Sequence, residues 1–64
     1  MIVAGIDVGA KNVQVVLLRD GDLIARATVL SGFDHEESAG RGLDEAARAA
    51  GIERSAIEVV AATG

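Results

Sequence analysis

The sequence predicts a mixed α/β domain in which three antiparallel strands are joined through one helix to a fourth strand running parallel to the first. Three observations carry this. The first half holds short runs rich in Val, Ile and Leu, bounded by Gly and Asp, at Ile2–Ile6, Asn12–Arg19 and Leu23–Leu30. From Ser31 the composition changes to apolar residues three and four apart, Ala39, Leu43, Ala46, Ala47 and Ala50, which fall on one helical face. A last apolar run, Ile57–Thr63, follows that helix and is therefore free to lie parallel to an earlier strand.

Each element has its own punctuation. Ile2–Ile6 is too short for a helix, and Asp7 and Gly9 are expected to end it. Asn12–Arg19 reads as the second strand, with Gln14 marking a polar face. Asp20-Gly21 suits a type I′ hairpin turn, whose central residues both need positive φ. In Leu23–Leu30, Arg26 and Thr28 share a face. Asp34 can cap the helix with Glu37 completing a capping-box pattern, and the acidic first turn complements the helix dipole. Gly40 and Gly42 each cost about 1 kcal/mol relative to Ala in a helix interior, so regular helix is expected only from near Leu43. Gly51 offers a left-handed C-terminal residue, and Ile52 the apolar contact that accompanies it.

A chain of 64 residues makes one small domain at most. It has no cysteine and one histidine, so neither a disulfide nor a zinc site stabilises it. Half of the residues are apolar, with Phe33 the only aromatic, which is a globular composition. The formal charge is −4 and the basic residues are scattered, which disfavours nucleic acid as a partner. With no basic leader and no long apolar stretch, neither a signal peptide nor a membrane span is expected, and the chain reads as cytoplasmic.

The chemistry concentrates at the first corner, Gly5-Ile6-Asp7-Val8-Gly9-Ala10-Lys11-Asn12. In a sheet of this order the end of the first strand lies at the carboxyl edge, where open sheets bind ligands. Gly9 lacks a side chain where the backbone bends, so the amides of Gly9, Ala10, Lys11 and Asn12 could line phosphate oxygens. Asp7 could hold Mg²⁺ directly or through water, since that ion uses few carboxylates and keeps several waters. Lys11 adds a positive charge. The same residues also make an ordinary hairpin corner, and they are neither a Walker loop nor a dinucleotide fingerprint. His35 reads as an exposed residue at the helix start. Arg41, between two glycines, reads as part of a frayed turn.

The order β-β-β-α-β, with expected spatial order 3-2-1-4, is the opening half of the ribonuclease H-like fold; a second helix and a fifth strand of the full unit are missing. Residues Met1–Val29 resemble the amino-terminal phosphate motif of the acetate kinase, sugar kinase, Hsp70 and actin superfamily. Within it the whole chain, residues 1–64, looks most like the amino-terminal part of the ATPase activator components of 2-hydroxyacyl-CoA dehydratases and benzoyl-CoA reductases. The resemblance rests on the Gly5–Gly9 corner, the Asp20-Gly21 hairpin, the helix end "AARAAGI" and the strand "VVAATG", which is similar to the start of the family's Ala-Thr-Gly-Tyr-Gly-Arg loop. It implies ATP and Mg²⁺ at the first corner, a homodimer, a [4Fe-4S] cluster bridged by cysteines of both subunits, and electron delivery to a partner acyl-CoA dehydratase or reductase. The cluster ligands, second phosphate loop and adenosine pocket would belong to a longer parent protein. Relatives commonly carry Ser or Thr where Ala10 stands, which leaves Lys11 or Asn12 to supply the missing contact.

Two other classes of function remain as alternatives. "GIDVGAKN" also resembles the opening of Holliday-junction resolvases, ribonuclease H-like nucleases in which Asp7 would be one of several carboxylates holding two metals. That chemistry wants another acid near the carboxyl end of the fourth strand, where the sequence has Ala61-Ala62-Thr63. The third reading is a structural module that self-associates through an unpaired sheet edge.

Overall fold

A computed structural model describes residues 1–63 as a four-stranded sheet with one helix packed on one of its faces. The strands are β1 (Ile2–Val8), β2 (Asn12–Arg19), β3 (Asp22–Leu30) and β4 (Ile57–Thr63), and the helix is α1 (His35–Ala50). Their spatial order is β3-β2-β1-β4, with β1 antiparallel to β2 and parallel to β4. This is the expected mixed sheet and strand order. Gly64, read from the sequence as the first glycine of a longer loop, lies outside the described residues.

Strand alternation decides what is buried. Ile2, Ala4 and Ile6 of β1 and Val13, Val15 and Leu17 of β2 face α1 and form the core with Leu43, Ala46 and Ala47. The alternate residues, Val3, Gly5 and Asp7 on β1 and Gln14 and Val16 on β2, face the open side. β1 continues two residues past its expected end at Ile6. Asp7 does not break it because its backbone pairs with Gln14 on one side and Thr63 on the other, while its side chain stays in solvent.

The helix corrects a larger expectation: it begins at His35, not near Leu43, and runs through both Gly40 and Gly42. Asp34 caps it, accepting hydrogen bonds from the N–H groups of Glu36 and Glu37 at 3.0 and 3.3 Å. Glu37 leaves the reciprocal half of a capping box unmade and pairs instead with Arg41 at 2.8 Å. Gly42 is where α1 approaches the sheet: a Cβ there would lie 2.7 Å from Val15 Cγ2 and 3.7 Å from Val13 Cγ1 and Val29 Cγ2. The propensity lost at two glycines is about 2 kcal/mol, whereas each buried Val, Leu or Ile side chain contributes roughly 1.5–3 kcal/mol. Packing wins. At the other end Gly51 adopts φ 69°, and Gly51 and Ile52 donate to the carbonyls of Arg48 and Ala47, the paired bonds of a Schellman cap.

The helix lies over β2 and β3, leaving β4 outside its shadow. Val59 and Val60, on opposite faces of β4, are 45% and 50% exposed, and the outer edge of β4 is unpaired among the described residues. Arg54, in the 3₁₀ turn that leads into β4, is held to α1 through Asp44 at 2.8 Å.

Candidate functional site

The two parallel strands β1 and β4 end side by side, so the carboxyl edge of the sheet brings Asp7 next to Thr63, with Gln14 on β2 across from it. One residue pair inward, on the same face, stand Gly5, Ala61 and Val16. Small residues below and polar residues at the rim line an open, shallow hollow of about 280 Å³ formed by Gly5, Ile6, Asp7, Gln14, Val16, Ala61 and Thr63. Gly5 already sits closely under its neighbour, since a Cβ there would lie 3.2 Å from Val16 Cγ2. Thr63 Oγ1 reaches back to the carbonyl of Ile6 at 3.5 Å, a long hydrogen bond across β1 and β4.

The Asp7 side chain is exposed and enters no hydrogen bond or ion pair among the described residues. Its carboxylate is free to take a ligand. The nearest ladder partners are an amide and a hydroxyl, and no group of three His, Cys, Asp or Glu side chains assembles anywhere among the described residues. A cation here would therefore have one protein carboxylate and would fill its remaining positions with water or phosphate oxygens, which is how Mg²⁺ is usually held. Glu58 stands at the far end of β4, so the second acid that a two-metal nuclease needs is not beside Asp7.

The corner between β1 and β2 is the three-residue loop Gly9-Ala10-Lys11, and its amides are not equivalent. The N–H of Gly9 donates to the carbonyl of Asn12 at 2.9 Å and closes the hairpin. This amide, expected among the phosphate donors, is already committed. A Cβ on Gly9 would lie 2.9 Å from that same Asn12 oxygen, so the glycine is required by the chain's own backbone. By contrast, the N–H groups of Ala10 and Lys11 donate to nothing among the described residues, and both residues are exposed. Asn12 is exposed at the start of β2 and pairs with Leu30.

Three participants escaped the sequence reading. Gln14 and Thr63 share the rim with Asp7, and the signal that finds them is period-two alternation: Gly5-x-Asp7 and Ala61-x-Thr63 place a small residue and then a polar one on the same face of parallel neighbours. Ser31 is the third. Its N–H donates to the Lys11 carbonyl and its hydroxyl to the Gly9 carbonyl, both at 2.9 Å. Only the β2–β3 register, which pairs Asn12 with Leu30, places it there. His35 is exposed, as read from the sequence. Arg41 corrects the frayed-turn reading: it lies inside α1 and bonds the Leu30 carbonyl at 2.9 Å, Ser38 Oγ at 3.2 Å and Glu37 at 2.8 Å.

No protein-family model and no curated protein matches this sequence. Solved structures do. The chain is similar to the crystal structure of (R)-2-hydroxyglutaryl-CoA dehydratase component A from Acidaminococcus fermentans, with TM-score 0.85 and 26% identity over all of this chain and 25% of that one. It also matches ROK hexokinase from Thermus thermophilus, with TM-score 0.79 and 20% identity over 97% of this chain and 22% of that one. This chain thus spans about a quarter of the length of each. Both neighbours have the actin-like ATPase fold, and the sheet order, strand directions and helix described above are those of the same fold.

Proposed function

We propose that this chain, with its actin-like ATPase fold, is the first phosphate-binding portion of an ATPase activator that drives electrons into a 2-hydroxyacyl-CoA dehydratase or benzoyl-CoA reductase. The observation that carries the reading is the free carboxylate of Asp7 at the carboxyl edge of β1 and β4, one turn of chain from the unpartnered amides of Ala10 and Lys11. In this reading Asp7 orients Mg²⁺, directly or through water, and the Ala10 and Lys11 amides receive phosphate oxygens. Gly9 shapes the corner, Lys11 adds charge, and Asn12 stands in reserve where Ala10 lacks a hydroxyl. Bound Mg²⁺ would supply neutralisation of phosphate charge. The likeness to component A, over the whole of this chain, supports the choice of activator within the fold.

The same reading assigns residues 1–64 to the amino-terminal half of an ATPase subdomain in a longer cytoplasmic protein that forms a homodimer and meets its acyl-CoA enzyme as a partner. A [4Fe-4S] cluster finds no cysteine ligand in this chain, so its ligands would belong to the longer protein. One lobe of a nucleotide cleft cannot surround ATP, so the 64-residue chain by itself is expected to show no ATP turnover. In the longer protein, Asp7→Asn is expected to weaken Mg·ATP binding tenfold or more, about 1.4 kcal/mol, with the melting temperature retained. Calorimetric titration of Mg·ATP into both proteins decides it: equal affinities remove Asp7 from the metal site.

A second reading has its own observation. The exposed Val59 and Val60 and the unpaired edge of β4 favour self-association of the isolated chain through that strand. Sedimentation velocity that finds only monomer across a wide concentration range would remove it.

A further inference from the structure

We infer that Ser31 is a positioning residue for the phosphate corner, its hydroxyl aiming the N–H of Ala10; the phosphate part of the inference rests on the function proposed above. Ser31 follows β3 and holds the two outer peptide groups of the corner at once. Its hydroxyl donates to the Gly9 carbonyl, and its own N–H donates to the Lys11 carbonyl, both at 2.9 Å.

The consequence follows from peptide planarity. Every peptide bond among the described residues is trans, so each carbonyl points opposite to the N–H of the next residue. Capturing the Gly9 oxygen therefore fixes the Ala10 N–H in the direction away from Ser31, and capturing the Lys11 oxygen does the same for the Asn12 N–H. Both constraints come from one residue, by different groups. Removal of the hydroxyl releases the Gly9–Ala10 peptide group and leaves the Lys11–Asn12 group held by the backbone.

Ser31 is itself well anchored. The N–H of the next residue, Gly32, donates to Ser38 Oγ at 2.8 Å, and that buried hydroxyl donates to the Asp34 carbonyl at 3.0 Å. Arg41 adds bonds to Ser38 Oγ and to the Leu30 carbonyl, on the residue just before Ser31. The first turns of α1 thereby fix the segment that fixes the corner. A short three-residue loop with two free amides gains a set direction for one of them before any anion arrives, which lowers the ordering cost of binding.

The test compares wild-type protein with Ser31→Ala and Ser31→Thr, all labelled with ¹⁵N. In Ser31→Ala the residual dipolar coupling of the Ala10 N–H is expected to change while those of Asn12, Val15 and Leu17 stay, and Ser31→Thr is expected to restore it. An unchanged Ala10 coupling in Ser31→Ala overturns the clamp. Mg·ATP titration of the longer protein, followed at the Ala10 cross-peak, is the second arm, with roughly fivefold weaker binding expected for Ser31→Ala, the worth of one ordinary hydrogen bond, and recovery in Ser31→Thr. If the couplings behave as expected but the wild-type Ala10 cross-peak ignores Mg·ATP, the phosphate role is overturned and the clamp alone stands. Wild-type binding with no loss in Ser31→Ala overturns the positioning role while leaving the phosphate corner intact.

Discussion

The chain makes two hairpin corners from nearly the same chemistry, an aspartate and a glycine after an apolar strand, and they do different things. At the β2–β3 corner Asp20 and Gly21 take φ of 50° and 89°, the left-handed values of a type I′ turn, and a Cβ on Gly21 would meet nothing within 4 Å. Asp20 is used up there: its carboxylate binds the amino group of Met1 at 2.8 Å. At the β1–β2 corner Gly9 has no positive φ, its missing Cβ makes room for the Asn12 carbonyl, and Asp7 stays free. A glycine that is needed for its dihedral angles marks a turn. A glycine that is needed for close approach, beside an unspent carboxylate and free amides, marks a candidate site.

The contrast breaks most visibly in the aspartates. Asp7→Asn is expected to cost the longer protein tenfold or more in Mg·ATP affinity, while Asp20→Asn leaves that affinity unchanged; equal losses at both positions would show that the two corners are not distinct. Next come the glycines. Gly9→Ala forces a Cβ to within 2.9 Å of a backbone oxygen, and overpacking of that kind costs roughly 1–3 kcal/mol, read by denaturant unfolding together with weakened nucleotide binding. Gly21→Ala is strained by its φ and costs about 1–2 kcal/mol, with nucleotide binding untouched.

The same rule sharpens inside α1, where two glycines stand two residues apart. Gly42→Ala brings a Cβ to 2.7 Å from the buried Val15 Cγ2 and is expected to destabilise, whereas Gly40→Ala meets nothing within 4 Å. Gly40→Ala is expected to gain up to about 1 kcal/mol from helix propensity. Matched thermal melts of the two variants give opposite signs if space, and not glycine content, governs the helix.

The smallest effect is the pH dependence of the Met1–Asp20 tie. Its hydrogen bond, and then its charge attraction, hold the Asp20 carboxyl below its ordinary range and the terminal amine above its own. The carboxylate contributes stability above the ordinary carboxylate range and loses it as pH falls through its lowered value. The amine contributes below the ordinary range of a terminal amine and loses it as pH rises through its raised value. The difference in melting temperature between wild type and Asp20→Asn is therefore expected to be greatest near neutral pH and to vanish at both extremes. Both groups are in solvent, so the difference is small and fades with salt.

Much of this molecule is written locally. Alternation in Ile2–Ile6 and Asn12–Arg19, the Asp20-Gly21 turn, the Asp34 cap and the Gly51 stop are short-range preferences, each acting within a few residues, and they determine the elements and their order. Asp7 and Gly9 stand out for the same reason, as interruptions of an apolar run. What the neighbours in sequence could not decide is who sits beside them. The helix start at His35 depends on Gly42 meeting Val15. The rim of Asp7, Gln14 and Thr63 depends on two ladders, one of which pairs residues 55 to 56 positions apart in the chain. Ser31's hold on the Gly9 and Lys11 carbonyls depends on the β2–β3 register. Propensities are properties of a residue and its near neighbours, whereas packing space, cross-strand pairing and the direction of a peptide group exist only once distant segments have met.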